Sequence, residues 1–385
     1  MTALLLSHPR PLPHAGGERD LPTRKVRLVA AGGAWHNAAM RNFLLAAAAS
    51  LALALPVAAQ DEPQGAPSPN AIVAQASPAE WVRIADEDLL VMTLAPAADG
   101  SPREVVMQLM PAPFSQGWVE NIRTLARAGW YDDIAVNRVQ DNYVVQWGDP
   151  NYDNPEAEGE AKPLPEGLNV IGEENYTTRL DEWQAENAER DRKRVAKQAA
   201  GIQLSIVEQN PYPDWHSRDS YASWVSFYSG WPVAASGFSW NQEWWPVHCY
   251  GMVGVGRGYS PDTGSGAELY TVIGHAPRHL DRNIALVGRI VSGMEHLSSL
   301  PRGSGDLGFY TVDEADKRTP ILTVRVASDL PQTERPAFEY LSTEGPTFAQ
   351  YAEARANRRD PFFIHPAGGA DICNIPVPVR EVSAP

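Results

Sequence analysis

The stretch Gly129–Pro150 constrains the fold of this chain more than any other. It begins where an amphipathic helical pattern stops at a glycine and ends in a Gly-Asp-Pro turn. Between these lie two short apolar-alternating runs, Ile134–Val139 and Tyr143–Gln146, separated by the polar triplet Gln140–Asn142. Such runs joined by turn residues predict a β-hairpin. Arg138 on the first run then faces Gln146 on the second, placing a guanidinium beside aliphatic and aromatic groups.

The surrounding pattern fits a β-rich fold. Val82–Ala85 and Leu89–Leu94 read as strands meeting at the acidic turn Asp86–Asp88, and Glu104–Met110 reads as a half-buried strand. Ser115–Ala128 carries Trp118, Ile122, Leu125 and Ala126 at helical spacing, with Gly129 as the cap past its end. Strands are also expected over Glu268–Ile273, Ile284–Val291 and Ile321–Ala327, and helices over Gly293–Leu300 and Thr347–Arg358. With 30 Gly and 33 Pro in 385 residues, the composition favours a loop-rich β or α+β architecture. A formal charge of −15 argues against a nucleic-acid partner, which needs a basic surface.

The termini carry different signals. Met40-Arg41-Asn42, the apolar run Phe43–Leu55 and the exit Pro56–Gln60 read as a secretory signal (residues 40–59) cleaved near Ala59/Gln60. The run is too short to span a bilayer, so no stable membrane insertion is expected after cleavage. Residues 1–39 are expected to be disordered or a misassigned extension ahead of Met40. Residues 60–78 read as a linker, 79–330 as the folded domain and 331–385 as a C-terminal extension with an irregular, Pro-rich tail from Asp360.

The two cysteines, Cys249 and Cys373, either pair after export, closing a long loop, or serve as small buried hydrophobes. No Cys-x-x-Cys or His-Glu-x-x-His spacing exists, so neither a metal nor another cofactor is expected. Within 151–250, Tyr176–Ala200 reads as an exposed helix rich in Glu, Arg and Lys. Trp215, Trp224, Trp231, Trp240, Trp244 and Trp245 follow, half of the chain's 12 tryptophans. They form either an aromatic binding face or, as indoles usually do, packing against the main domain. The glycines of Gly251–Gly258 do not make a nucleotide loop, because a turn-rich run and a strand follow rather than a helix.

Taken in order, these pieces resemble the cyclophilin-type peptidyl-prolyl cis-trans isomerases. The resemblance rests on Met107–Pro113, Ser115–Ala128, Gly129–Asp132, Arg138-Val139, Tyr143–Pro150, Gly251–Gly258, Gly266–Tyr270, Leu280-Asp281 and Val287–Met294. It runs over about 90–326 and is interrupted at 151–250. It implies a mainly β fold: an eight-stranded closed antiparallel barrel capped by two helices, here with a large helical, aromatic-rich insertion. It also implies partners that are proline-containing, unfolded or extended polypeptides.

By the same resemblance Arg138 is the catalytic arginine and Gln146 orients it. Tyr143, Val144, Gly256, Glu268, Tyr270, His279 and Leu280 belong to the substrate-binding surface. Several positions depart from the family pattern. Asn137 and Ile284 stand where histidines are usual, Arg282 where glycine is, Glu268 where glutamine is and His279 where tryptophan is. Tyr143 replaces a phenylalanine, and Tyr270 adds a hydroxyl at the floor of the proline pocket. Two functional expectations follow: an exported isomerase assisting folding in the periplasm, or a weakly active or inactive peptide-binding module that uses the Trp-rich insertion.

Overall fold

The computed structural model describes residues 65–382 apart from 153, 206–207, 209–212 and 238–241. All belong to one compact unit, Asp61–Pro385. The signal segment, the residues ahead of it and Trp240 lie outside the described residues.

The chain enters through a short helix, α1 (Pro69–Ala74), followed by strands β1 (Trp81–Arg83), β2 (Leu89–Leu94) and β3 (Arg103–Leu109). Helix α2 (Gln116–Arg127) buries Trp118, Val119, Ile122, Leu125 and Ala126, the stripe expected from its 3.6-residue spacing. It ends in a Schellman motif: Gly129, at φ +65°, donates to Ala126 O and Trp130 donates to Leu125 O. That left-handed glycine turns the chain into β4 (Ile134–Val139) and β5 (Val144–Gly148).

The insertion contributes helix α3 (Asp181–Ala199) and strands β6 (Trp224–Tyr228), β7 (Trp231–Ser236) and β8 (Glu243–Pro246). Then come β9 (Met252–Val255), β10 (Leu269–Val272), β11 (Leu286–Ser292), α4 (Met294–Ser298) and β12 (Pro320–Val326). The C-terminal part holds β13 (Phe338–Leu341), α5 (Pro346–Ala356) and β14 (Val379–Glu381).

Eight strands close a barrel in the order β10-β5-β4-β12-β2-β3-β11-β9, every pair antiparallel. Closure leaves no open edge within this sheet. Two further sheets stand outside the barrel, β6-β7-β8 and β1-β13-β14.

Three expectations need correction. Residues 69–74, inside the stretch read as linker, form a helix: Ser68 Oγ accepts from the Ala71 amide, Pro69 starts the turn, and Ile72 is buried in the main core. The strand near Val82 exists but pairs with β13, not with the barrel. The insertion is a sheet as well as a helix; β7 and β8 are buried at successive positions, so no period-2 alternation marks them. The glycine run at 251–258 contains barrel strand β9, where Gly254 is needed because a Cβ would come within 2.3 Å of the Tyr270 hydroxyl.

The insertion and the C-terminal part share one hydrophobic core with the barrel. Trp215, Trp231, Trp244 and Trp245 are buried in it, while Trp224 is half-buried. These described tryptophans pack rather than present a face. Arg289 on β11 fastens the layers together. Its Nε donates to Gln108 Oε1 (2.9 Å) and its Nη1 to Gly230 O (2.8 Å), and its guanidinium lies over the rings of Trp231 (4.4 Å) and Tyr340 (5.8 Å). Burial pushes its pKa down to about 10. A disulfide joins Cys249 to Cys373. The pairing left open by the sequence is therefore made, and it ties the end of the insertion to the tail.

Candidate active site

The β4–β5 hairpin pairs Arg138 with Gln146, with a register shift between Val136 and Arg138. Such a bulge re-aims side chains. Val136 points into the core, Asn137 is buried and donates through Nδ2 to Gly148 O (2.9 Å), and Arg138 emerges on the outer face. The connecting turn, with Asn142 at φ +51°, is held from outside. Ile273 donates its amide to Tyr143 O, and Asn142 Oδ1 accepts from the His275 amide (3.0 Å). Gly274 sits so close that a Cβ would come within 2.1 Å of the Asn142 carbonyl carbon.

The Arg138 guanidinium is oriented from three sides. Nη1 donates to Gln146 Oε1 (3.1 Å), Nη2 to Gln140 Oε1 and Nε to Leu307 O (2.7 Å). The rings of Tyr143 (5.7 Å) and Phe309 (5.4 Å) flank it. Three of a guanidinium's five N–H bonds are thus engaged, leaving one on each terminal nitrogen. Burial holds the Arg138 pKa below the usual arginine value.

Beside it lies an apolar cluster separate from the core. Val144, Tyr270 and Val272 are its buried members, and Tyr143, Leu280 and Ile284 pack against them. The cluster follows from strand periodicity: in the β5–β10 ladder Gln146 opposes Tyr270 and Val144 opposes Val272, so all four side chains share the outer face. His279 stacks on Tyr143 with ring centroids 6.4 Å apart.

Glu268 is buried at the edge of this surface, where Gln146 Nε2 donates to its Oε2 (3.5 Å). Gly256 and Gly148 make room for it. A Cβ at 256 would lie 2.7 Å from Glu268 Cβ, and one at 148 would lie 1.8 Å from its Oε1. The Tyr270 hydroxyl points away from the apolar surface, 3.0 Å from His248 Nε2. Burial drives its pKa well above the ordinary tyrosine value, so it stays a neutral donor.

The structure brings together all nine candidate residues: Arg138, Gln146, Tyr143, Val144, Gly256, Glu268, Tyr270, His279 and Leu280. Sequence reasoning missed Gln140, Leu307, Phe309 and His248. Gln140 sits two residues from Arg138 in the turn and was within reach of local reasoning. Phe309 forms an isolated bridge with Arg138 across the whole insertion, and no local signal marks it.

The site thus presents an arginine clamped beside an apolar cluster on the outside of a closed eight-stranded barrel. The family model for cyclophilin type peptidyl-prolyl cis-trans isomerase/CLD matches residues 112–326, more than half of the chain. This chain belongs to that family, whose reaction is cis-trans isomerisation of peptide bonds preceding proline. Among solved structures it is similar to the cyclophilin AquaCyp293 from Hirschia baltica, with 19% identity and a TM-score of 0.54 over 82% of this chain and 98% of that one. That likeness concerns the fold, and its coverage reaches beyond the segment matched by the family model. A cyclophilin type isomerase from Cryptosporidium parvum, solved in the presence of the dipeptide Ala-Pro, is more distant: 10% identity and a TM-score of 0.30 over 61% of this chain and 98% of that one. No curated protein matches the sequence.

Proposed function

We propose that this chain is an exported peptidyl-prolyl isomerase that acts on proline-containing segments of unfolded or extended polypeptides in the periplasm, with Arg138 as its catalytic residue. The observation that carries this reading is the three-point clamp on Arg138 beside the Val144–Tyr270–Val272 cluster.

Rotation about an X-Pro bond has a barrier of about 20 kcal/mol because amide resonance must be broken. No nucleophile, metal or proton shuttle is required. The apolar cluster takes the pyrrolidine ring, while Gln146 holds the guanidinium and reaches toward the peptide backbone. As the amide twists, its nitrogen pyramidalises and regains a lone pair. A remaining Arg138 N–H donates to that lone pair and so stabilises the twisted state over the planar one. Because the partners of Arg138 are already in place, little reorganisation is needed at the moment of rotation.

Export draws support from the apolar segment at 43–55 and from the Cys249–Cys373 disulfide, since such bonds persist in oxidising compartments. Among the described residues no helix is long and apolar enough to cross a membrane. Mass spectrometry of the protein from a periplasmic fraction should find Gln60 at the N-terminus.

The protein beginning at Gln60 should accelerate cis-trans relaxation of a proline peptide. Arg138→Ala should lower that acceleration about a hundredfold, the usual cost of a lost preorganised donor. A rate indistinguishable from buffer for the unmutated protein would sink the proposal. The competing reading, a binding module using a Trp-rich face, is weakened by the burial of Trp215, Trp231, Trp244 and Trp245. It would be favoured by peptide binding that survives Arg138→Ala without catalysis.

A further inference from the structure

Beneath the apolar cluster runs a chain of buried polar groups that the isomerase chemistry does not use. The Tyr270 hydroxyl is 3.0 Å from His248 Nε2, and His248 Nδ1 is 2.9 Å from Asp281 Oδ1. A carboxylate only accepts, so Nδ1 carries the proton and Nε2 accepts from the tyrosine. The His248 amide donates to the same Asp281 oxygen (3.0 Å). The other oxygen of Asp281 accepts from Arg278 Nε (2.7 Å), and Arg278 closes a two-pronged ion pair on Asp219 (2.7 and 3.0 Å). Tyr270, His248, Asp281 and Arg278 are all buried, with His248 completely inaccessible. Burial pushes the Asp281 carboxyl up, but the hydrogen bonds from His248 and Arg278 and the Arg278 charge outweigh it and hold the group below its usual range.

The two ends of this relay belong to different parts of the molecule. Asp219 and His248 come from the insertion. Tyr270 is a buried member of the apolar cluster, and Leu280, which packs against that cluster, sits between Arg278 and Asp281 in one tight turn. We propose that His248, braced through Asp281 and Arg278 by Asp219, is a positioning residue for the proline pocket, so that the insertion sets peptide affinity. The relay draws the Tyr270 hydroxyl under Gly254 and presents the ring to the substrate, and it fixes the turn bearing Leu280. The polarity that tyrosine adds is taken up by His248, and the pocket stays apolar. Arg138 is untouched, so binding rather than the rotation step is what the relay controls. This inference rests on the cluster being the proline pocket.

The test uses the full chain with an Ala-Ala-Pro-Phe peptide, measuring KM, kcat and peptide affinity alongside thermal melting. His248→Ala should raise KM and weaken binding about three- to tenfold, with kcat within about twofold. His248→Gln, which keeps an acceptor for the hydroxyl and a donor for Asp281, should restore most of the loss. Asp219→Asn, remote from the peptide, should shift KM in the same direction by less. Tyr270→Phe should add nothing in the His248→Ala background, because the bond it removes is already gone. Folded variants whose KM and affinity match the unmutated protein, with only the melting temperature lowered, would overturn the inference. So would fully additive effects of His248→Ala and Tyr270→Phe. Failure of the unmutated chain to bind or isomerise the peptide would instead remove the pocket assignment itself, and the inference with it.

Discussion

At the scale of single residues, Gly274 and His216 are held by close packing away from the Arg138 guanidinium. Gly274 has the Asn142 backbone where a side chain would go, so Gly274→Ala must displace the turn that carries Tyr143. Such overpacking typically costs about 1–3 kcal/mol. The variant should melt earlier and bind proline peptides less well, as denaturation and activity assays would show. His216 is a second case. Its ring lies between Trp215 (centroids 3.7 Å apart) and Trp224 (5.3 Å), with Nδ1 donating to Val225 O (2.6 Å). Burial pushes its pKa down to about 4. The unfolded chain, with its histidine near the usual 6.5, therefore binds the proton more readily, and stability is lost as pH falls from about 6.5 toward 4. The loss attributable to this residue is on the order of 3 kcal/mol. Melting curves between pH 7 and 4 should show a shallower decline for His216→Phe than for the unmutated protein; parallel declines would contradict it.

At the scale of elements, the barrel positions the site and the outer sheets hold the barrel's surroundings in place. Strands β4, β5 and β10 supply the outer face through plain alternation. The bulge after Val136 turns Arg138 outward, and the segment around Phe309 closes over it. The disulfide links Cys249, three residues before β9, to Cys373, closing a loop with a sequence separation of 124. On the chain-entropy account a loop of this length stabilises by roughly 4–5 kcal/mol. Reduction, or Cys249→Ser with Cys373→Ser, should lower the melting temperature by roughly 5–10 °C. A scan with and without reductant measures this directly; equal midpoints would show that the bond contributes nothing.

At the scale of the whole molecule, the parts before and after the family segment are structural members of the core. Strand β1 pairs with β13, and β13 with β14. Phe348 of α5 meets Phe227 of the insertion edge-on at 4.9 Å, and Tyr340 lies beside the Arg289 guanidinium. A chain ending at residue 330 would lose β13, β14, α5 and the disulfide, exposing these apolar faces. It should be poorly soluble and melt without a sharp transition. A truncated chain melting like the parent would mean that the C-terminal part is an independent appendage.

The sequence by itself determined what depends on neighbours along the chain. Helix α2 and its glycine cap, the β4–β5 hairpin and the alternation that sets Val144 and Gln146 on one face are all local, and pattern alone reaches them. The family resemblance carried by the order of these motifs then implies the barrel and singles out Arg138. Tertiary structure alone decided what depends on contacts between distant segments. The Arg138 clamp needs Leu307 and Phe309, the Tyr270 hydroxyl needs His248, and Cys249 needs Cys373. Trp215, Trp231, Trp244 and Trp245 could be assigned to packing only once there was a core to receive them. Periodicity records which face of an element is apolar, but not which surface it meets, because loop closure across a hundred or more residues leaves no trace in local spacing.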